Sequence, residues 1–208
     1  MRQNGKKIFG TDAEVHFQYK TSRDLGLWLI LGNYSFLESG GTTFVRNRFI
    51  HLRYNRKINE WLRWEIFGQL QDNLITNIDS RALIGTGPRF KIFKTSSFRL
   101  YAASLVMYER EKELTTPVII HKDIRSSSYV SFTWTPQNTN LEVISTTFFQ
   151  PLFRHFSDYR ILNQVNLKVK ATKHFSLSLR WDYLHDRFPA GDAPRTTYGL
   201  STGATYEL

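Results

Sequence analysis

The strongest constraint on this chain is a two-residue alternation that restarts about eleven times, with the charges kept to one parity. Between Tyr159 and Val169 one parity reads Tyr159, Ile161, Asn163, Val165, Leu167 and Val169; the other reads Arg160, Leu162, Gln164, Asn166 and Lys168. Successive side chains of a strand point to opposite faces, so such a segment builds a sheet with one apolar and one polar face. The pattern recurs in Phe98–Glu109, Phe175–Leu184 and Tyr198–Leu208. A barrel closed within a bilayer needs this arrangement, apolar toward lipid and polar toward the interior.

The length, 208 residues, suits one barrel domain over 1–208. Aromatics reach 15%, and Phe, Tyr and Trp favour both strands and membrane interfaces. Without cysteine, neither a disulfide nor a thiolate metal site can form. The net charge of +10 is spread over strands and turns rather than gathered on a helix or arm, which argues against nucleic acid and for anionic lipid or interior ion pairs. A mean hydropathy of −0.38 does not imply a soluble protein, because only alternate residues of a barrel strand face lipid. The first ten residues carry Arg2, Lys6 and Lys7 and no apolar leader core, so the chain reads as a mature or truncated form.

Candidate strands fall at Ala13–Lys20, Gly26–Leu37, Thr43–Tyr54, Trp61–Gln71, Arg81–Phe93, Phe98–Glu109, Arg125–Thr135, Leu141–Leu152, Tyr159–Lys170, His174–Leu184 and Thr197–Leu208. Each is about as long as a tilted membrane strand. Short turns (Lys20–Leu25, Asn55–Glu60, Lys94–Ser97, Pro136–Asn140, Ala171–Lys173) alternate with longer loops (Glu38–Gly41, Asp72–Ser80, Arg110–Ile124, Phe153–Asp158, His185–Arg195). The fold class read from this is all-β, an antiparallel up-and-down transmembrane β-barrel. Single-chain bacterial barrels are even-numbered, so about twelve strands are expected, with ten as the alternative. Residues 1–12 hold the start of an extra or truncated strand. Pro88, flanked by Gly85 and Gly87, predicts a bulge.

With the apolar parity outward, Leu62, Trp64, Ile66 and Leu70, then Leu100, Val106 and Tyr108, then Leu177, Trp181 and Tyr183 face lipid. The inward parity carries the charges. Arg63, Glu65, Arg89, Lys91, Arg99, Glu142, Lys168 and Glu207 lie toward the short-turn rim, and Arg81, Glu109, Arg160, Arg180 and Asp182 toward the other. These lumen-lining charges are the candidate binding residues, and folding at Phe153–Asp158 sets Glu142 opposite Lys168. Small barrels fill their interiors with such side chains, so a narrow, ion-paired lumen is expected.

No catalytic residue is assigned. His174 and Ser176 share a spacing that resembles the His-x-Ser of outer-membrane lipid A deacylases, but they fall on the inward face beside a short turn. The remaining histidines (His16, His51, His121, His155 and His185) show no metal-ligand spacing. No metal, no cofactor and no enzymatic activity are therefore expected. The end of the chain, Ser201 through Gly203 and Tyr206 to Leu208, resembles the terminal signal by which outer-membrane barrels engage their assembly machinery.

A family resemblance follows from longer stretches. Arg81-Ala-Leu-Ile-Gly-Thr-Gly-Pro-Arg-Phe-Lys, Phe98-Arg-Leu-Tyr-Ala-Ala-Ser-Leu-Val-Met-Tyr-Glu, Asp158-Tyr-Arg-Ile-Leu-Asn, Phe175-Ser-Leu-Ser-Leu-Arg-Trp-Asp-Tyr, Pro189-Ala-Gly-Asp and Thr197-Tyr-Gly-Leu-Ser resemble the salt-induced outer membrane protein family, over roughly residues 25–208. The resemblance implies a Gram-negative outer-membrane barrel without an assigned reaction and a role in envelope or osmotic stress. The expected partners are outer-membrane lipid, lipopolysaccharide and the assembly machinery, with the chain a monomer. Two rival readings stand beside this one: a porin-like channel for ions or small solutes, and a soluble lipocalin-like barrel with the apolar face inside.

Overall fold

The computed structural model describes residues 7–21 and 25–206. Their eleven strands are β1 (Ile8–Lys20), β2 (Gly26–Ser39), β3 (Thr42–Lys57), β4 (Leu62–Asn73), β5 (Ile78–Lys94), β6 (Phe98–Glu113), β7 (Ile120–Trp134), β8 (Leu141–Leu152), β9 (His155–Lys170), β10 (Phe175–Asp186) and β11 (Thr196–Tyr206). They form one antiparallel up-and-down sheet in chain order. Among the described residues no ladder joins β1 to β11, so the sheet curls into a half-barrel with two free edges. Those edges approach one another, since Glu14 of β1 meets Arg180 of β10 at 3.0 Å.

Among the described residues the strands number eleven, against the expected twelve. Ile8–Gly10, read as part of an extra strand, instead opens β1. Residues 1–6 lie outside the described residues, as do Glu207 and Leu208 of the terminal signal. Odd-numbered strands run the same way in a meander, so β1 and β11 are parallel and cannot close with the antiparallel ladder used everywhere else.

The alternation decides which face is which. Leu70 and Ile84, of the apolar parity, are 60% and 61% exposed on the outside, whereas Glu109 of the charged parity is 1% exposed inside. Soluble monomers do not carry an apolar surface of that extent. The aromatic parity faces outward, which excludes the inverted, lipocalin-like arrangement.

Several expected loops are strand. β6 runs to Glu113 and β7 starts at Ile120, leaving only Leu114–Ile119 between them. Likewise β2 and β3 meet at Gly40–Gly41, where both residues take positive φ (58° and 81°), the backbone a two-residue hairpin turn demands. The wall therefore projects past the apolar band at this rim. Apolar alternation stops where both faces become polar, but the strand does not.

The bulge expected at Pro88 is absent. The β5–β6 register runs unbroken through it, and the register shifts of β5 fall at Ile78/Ser80 and Lys91/Phe93. The neighbouring glycines answer to close packing instead. A Cβ on Gly87 would stand 2.5 Å from the Ser104 carbonyl oxygen, and one on Gly85 would stand 2.5 Å from the Phe67 ring.

Candidate functional site

The interior is built in layers from inward-facing residues of β3 to β10. Phe67, Gly85 and Met107 are successive ladder partners on β4, β5 and β6. Because Gly85 has no side chain, the Phe67 ring lies over it, and Phe67, Ala103, Leu105, Met107 and Tyr129 form a buried apolar cluster with Leu83 and Phe148 against it. Toward the short turns, Glu65 closes this layer. Its carboxylate accepts a hydrogen bond from the Tyr129 hydroxyl at 2.7 Å and faces Arg53 Nε at 3.4 Å.

Toward the long-loop rim lies a buried guanidinium–carboxylate network. Arg160 of β9 donates through Nη1 to both oxygens of Glu109 (2.9 and 2.7 Å), through Nη2 to Glu111 (3.1 Å) and through Nε to Asp186 (2.7 Å). Arg81 of β5 donates through Nε to Glu111 at 2.6 Å, and Arg125 of β7 approaches Glu109 at 3.4 Å and Asp158 at 2.9 Å. Charges so far from water need this degree of pairing, since an unpaired buried ion costs several kcal/mol. The network ties β5, β6, β7, β9 and β10 across the interior.

The mouth above is crossed by the β10–β11 loop. Asn77, between β4 and β5, donates to Asp192 at 2.7 Å and to the Ala190 carbonyl at 3.3 Å, and Ala190 and Ala193 are buried. A contact from one side of the wall to the other requires the loop to span the opening. The opposite wall is wetter: Arg180 pairs with Asp182 at 2.8 Å and with Glu14, and all three side chains remain at least one-third exposed.

At the short-turn rim a second feature opens. A cavity of about 220 Å³ is lined by Lys57, Asn59, Glu60, Trp61, Arg63, Arg89, Lys91, Lys94 and Tyr101. A hydrogen bond from Lys57, together with its positive charge, holds the Glu60 carboxyl below the usual carboxylate range.

Of the lumen-lining charges expected from sequence, Arg81, Glu109 and Arg160 come together in the network. Arg63, Arg89 and Lys91 meet at the short-turn cavity, while Arg99 stands exposed opposite Lys94 at the end of the β5–β6 ladder. Glu65 belongs to the apolar layer's polar edge. Glu142 faces Lys168 across the β8–β9 ladder, in the register expected. Arg180 and Asp182 form a separate pair, with Asp182 accepting from Gln164 at 3.1 Å. His174 lies in the β9–β10 turn against Tyr206, and Ser176 is buried on the inner face.

Glu111, Arg125, Asp158 and Asp186 went unassigned because apolar alternation ends near them. Their signal was the charged parity itself, which continues as Glu109, Glu111, Glu113 and as His121, Asp123, Arg125 past the last apolar partner. Among the described residues no group of three or more His, Asp or Glu side chains is placed to hold a metal ion.

No curated protein matches this chain. Among solved structures, a NanC porin aligns over 98% of this chain and 98% of its own at 10% identity, with a TM-score of 0.60. A bacterial polysaccharide outer membrane secretin aligns over 95% of this chain and 69% of its own at 13% identity, with a TM-score of 0.49. The first likeness is one of fold: an antiparallel, porin-like barrel. The sequence itself is matched over residues 11–208 by the family described as "Protein of unknown function, DUF481", and the chain belongs to that family.

Proposed function

We propose that this chain is a non-enzymatic β-barrel of the Gram-negative outer membrane, monomeric, with a narrow, ion-paired lumen. The observation that carries this reading is an apolar, exposed outer face wrapped around a buried network centred on Arg160 and Glu109. Only a bilayer rewards both features at once. The crossing loop, the ion network and the apolar layer stand in series on one side of the lumen, which leaves at most a thin wet path along Arg180, Asp182 and Glu14. Passage of water or small ions fits that path and passage of bulky solutes does not.

The outer-membrane lipid partner has its own support. Arg110 and Lys122 lie directly opposite on β6 and β7, facing outward and exposed, and neither makes an ion pair with a described residue. The next outward pair along the same strands is Tyr108 and Ile124, both apolar. Two unbalanced cations one row beyond an apolar band match the level of lipopolysaccharide phosphates. The assembly machinery would engage the last strand, and a role in envelope or osmotic stress follows the family resemblance.

The test is folding into detergent followed by gel mobility with and without boiling, then reconstitution with brominated lipid. An unboiled mobility shift, with quenching of the outward Trp28, Trp64 and Trp181, is expected. A water-soluble, non-shifting β protein would overturn the reading.

A further inference from the structure

The short-turn mouth of the barrel carries an arrangement that internal packing does not explain. Lys57, Arg63 and Arg89 are successive ladder partners on β3, β4 and β5, all facing inward. Like charges directly opposite in a sheet destabilise it, and here three cations follow one another. The same cavity of about 220 Å³ also takes in Lys91 and Lys94, so five cations line it against one carboxylate, Glu60. That carboxylate is 80% exposed at the rim, where it binds Lys57 and lies 3.9 Å from Lys91. Arg63, Arg89 and Lys94 have no ion pair with a described residue, and the buried Nε of Arg89 has no hydrogen-bond acceptor. The Arg89 guanidinium is held in place by the Tyr101 ring, 4.3 Å from its centroid. The interior acid nearest this layer, Glu65, is already engaged by Tyr129 and Arg53.

The geometry points to a binding site for a phosphate-type dianion at this mouth, formed by Arg63 and Arg89 with Lys57, Lys91 and Lys94 around them. Two neighbouring guanidinium forks suit a tetrahedral dianion better than a carboxylate, because each fork can take two oxygens. The cavity is smaller than the roughly 300–1,000 Å³ of pockets for drug-sized ligands, which limits the occupant to phosphate itself or a small phosphomonoester. The site rests on the barrel reading above, since it is the barrel that turns these residues toward a common interior.

The experiment uses the whole chain folded in detergent, with its boiled and unboiled gel mobility recorded first. Thermal melts are then taken in sodium phosphate and in sodium chloride at equal ionic strength. A ligand that binds only the folded state raises the melting temperature with its concentration. Phosphate is expected to do so and chloride not. Arg63→Gln and Arg89→Gln should each lower the apparent phosphate affinity at least about tenfold, the loss expected when one charged hydrogen-bonding partner is removed. In phosphate-free buffer Arg63→Gln should melt no lower than wild type, because it relieves repulsion from both neighbours. Lys94→Gln, at the exposed rim, serves where an arginine variant does not fold. Glucose 6-phosphate tested alongside distinguishes the ester from the free ion. Equal responses to phosphate and chloride, or responses unchanged in the variants, would overturn the site while leaving the barrel intact. A wild-type chain with no mobility shift would instead overturn the barrel.

Discussion

Arg160 binds three carboxylates on two other strands, Glu109 and Glu111 of β6 and Asp186 of β10, so its removal takes a cation from three buried anions at once. Breaking a buried pair from one side costs about 3–5 kcal/mol, whereas replacing a whole pair can be nearly neutral. Arg160→Ala should therefore lose about that amount in urea unfolding of the bilayer-folded protein, followed by tryptophan fluorescence. The glycines of β5 give a second residue-level prediction, with a control built in. Gly85→Ala meets the Phe67 ring, a side chain that can be shortened, while Gly87→Ala meets the backbone of Ser104 and Leu105. Each should cost about 1–3 kcal/mol by overpacking. Phe67→Leu should recover Gly85→Ala and leave Gly87→Ala unimproved. Arg160 and Glu109 were legible as inward charges, but the crowding at the glycines was not: Gly-Thr-Gly-Pro reads as a bulge by local chemistry, and only Phe67 over Gly85 and the β6 backbone against Gly87 show why the residues are small.

At the scale of the strand, the two-residue period located every element of the sheet and its inward face, and it put Glu142 across from Lys168. It failed wherever the outer face turns polar. Beyond Tyr108 the outward residues are Arg110 and Lys112, so apolar alternation disappears although β6 continues to Glu113. The projecting β6–β7 hairpin carries Arg110 and Lys122 one row, roughly 6–7 Å, past Tyr108 and Ile124. Reversing both charges, Arg110→Glu with Lys122→Glu, should reduce the bisphosphorylated lipid A retained by the purified barrel several-fold in native mass spectrometry. Dephosphorylated lipid A should be held equally weakly by both forms, and undiminished retention would count against the pair. The edge strands invite a separate measurement. Strand β1 is exposed along its whole length, and among the described residues it pairs only with β2 and β11 only with β10. Amide hydrogen exchange should be fastest in β1 and β11 and slowest in β5–β7, where the buried cluster sits. Slow exchange along the outer edge of β1 would mean that another strand covers it.

For the molecule as a whole, the question is which layer limits passage. Moving inward from the long-loop rim, a solute meets the 187–195 segment anchored by Asn77, then the Arg81–Arg125–Arg160 network, then Phe67, Leu105, Met107 and Tyr129. These occupy the β4–β9 side and reach Asp186 of β10, while the lumen around Arg180 and Asp182 of β10 and Glu14 of β1 stays wetter. Reconstituted wild type should pass small ions at low conductance in planar bilayers and no trisaccharide in liposome swelling. Freeing the loop by Asn77→Ala with Asp192→Ala should leave conductance nearly unchanged, because the apolar layer of Phe67, Leu105, Met107 and Tyr129 stays the narrowest point. Combining that release with Phe67→Ala and Met107→Ala should raise conductance several-fold, with the ion network then the narrowest point. A large rise from the loop release alone would place the barrier at the mouth and assign the ion network to holding the strands together. No rise from the combined variant would place the conducting path along Arg180, Asp182 and Glu14, where neither change reaches.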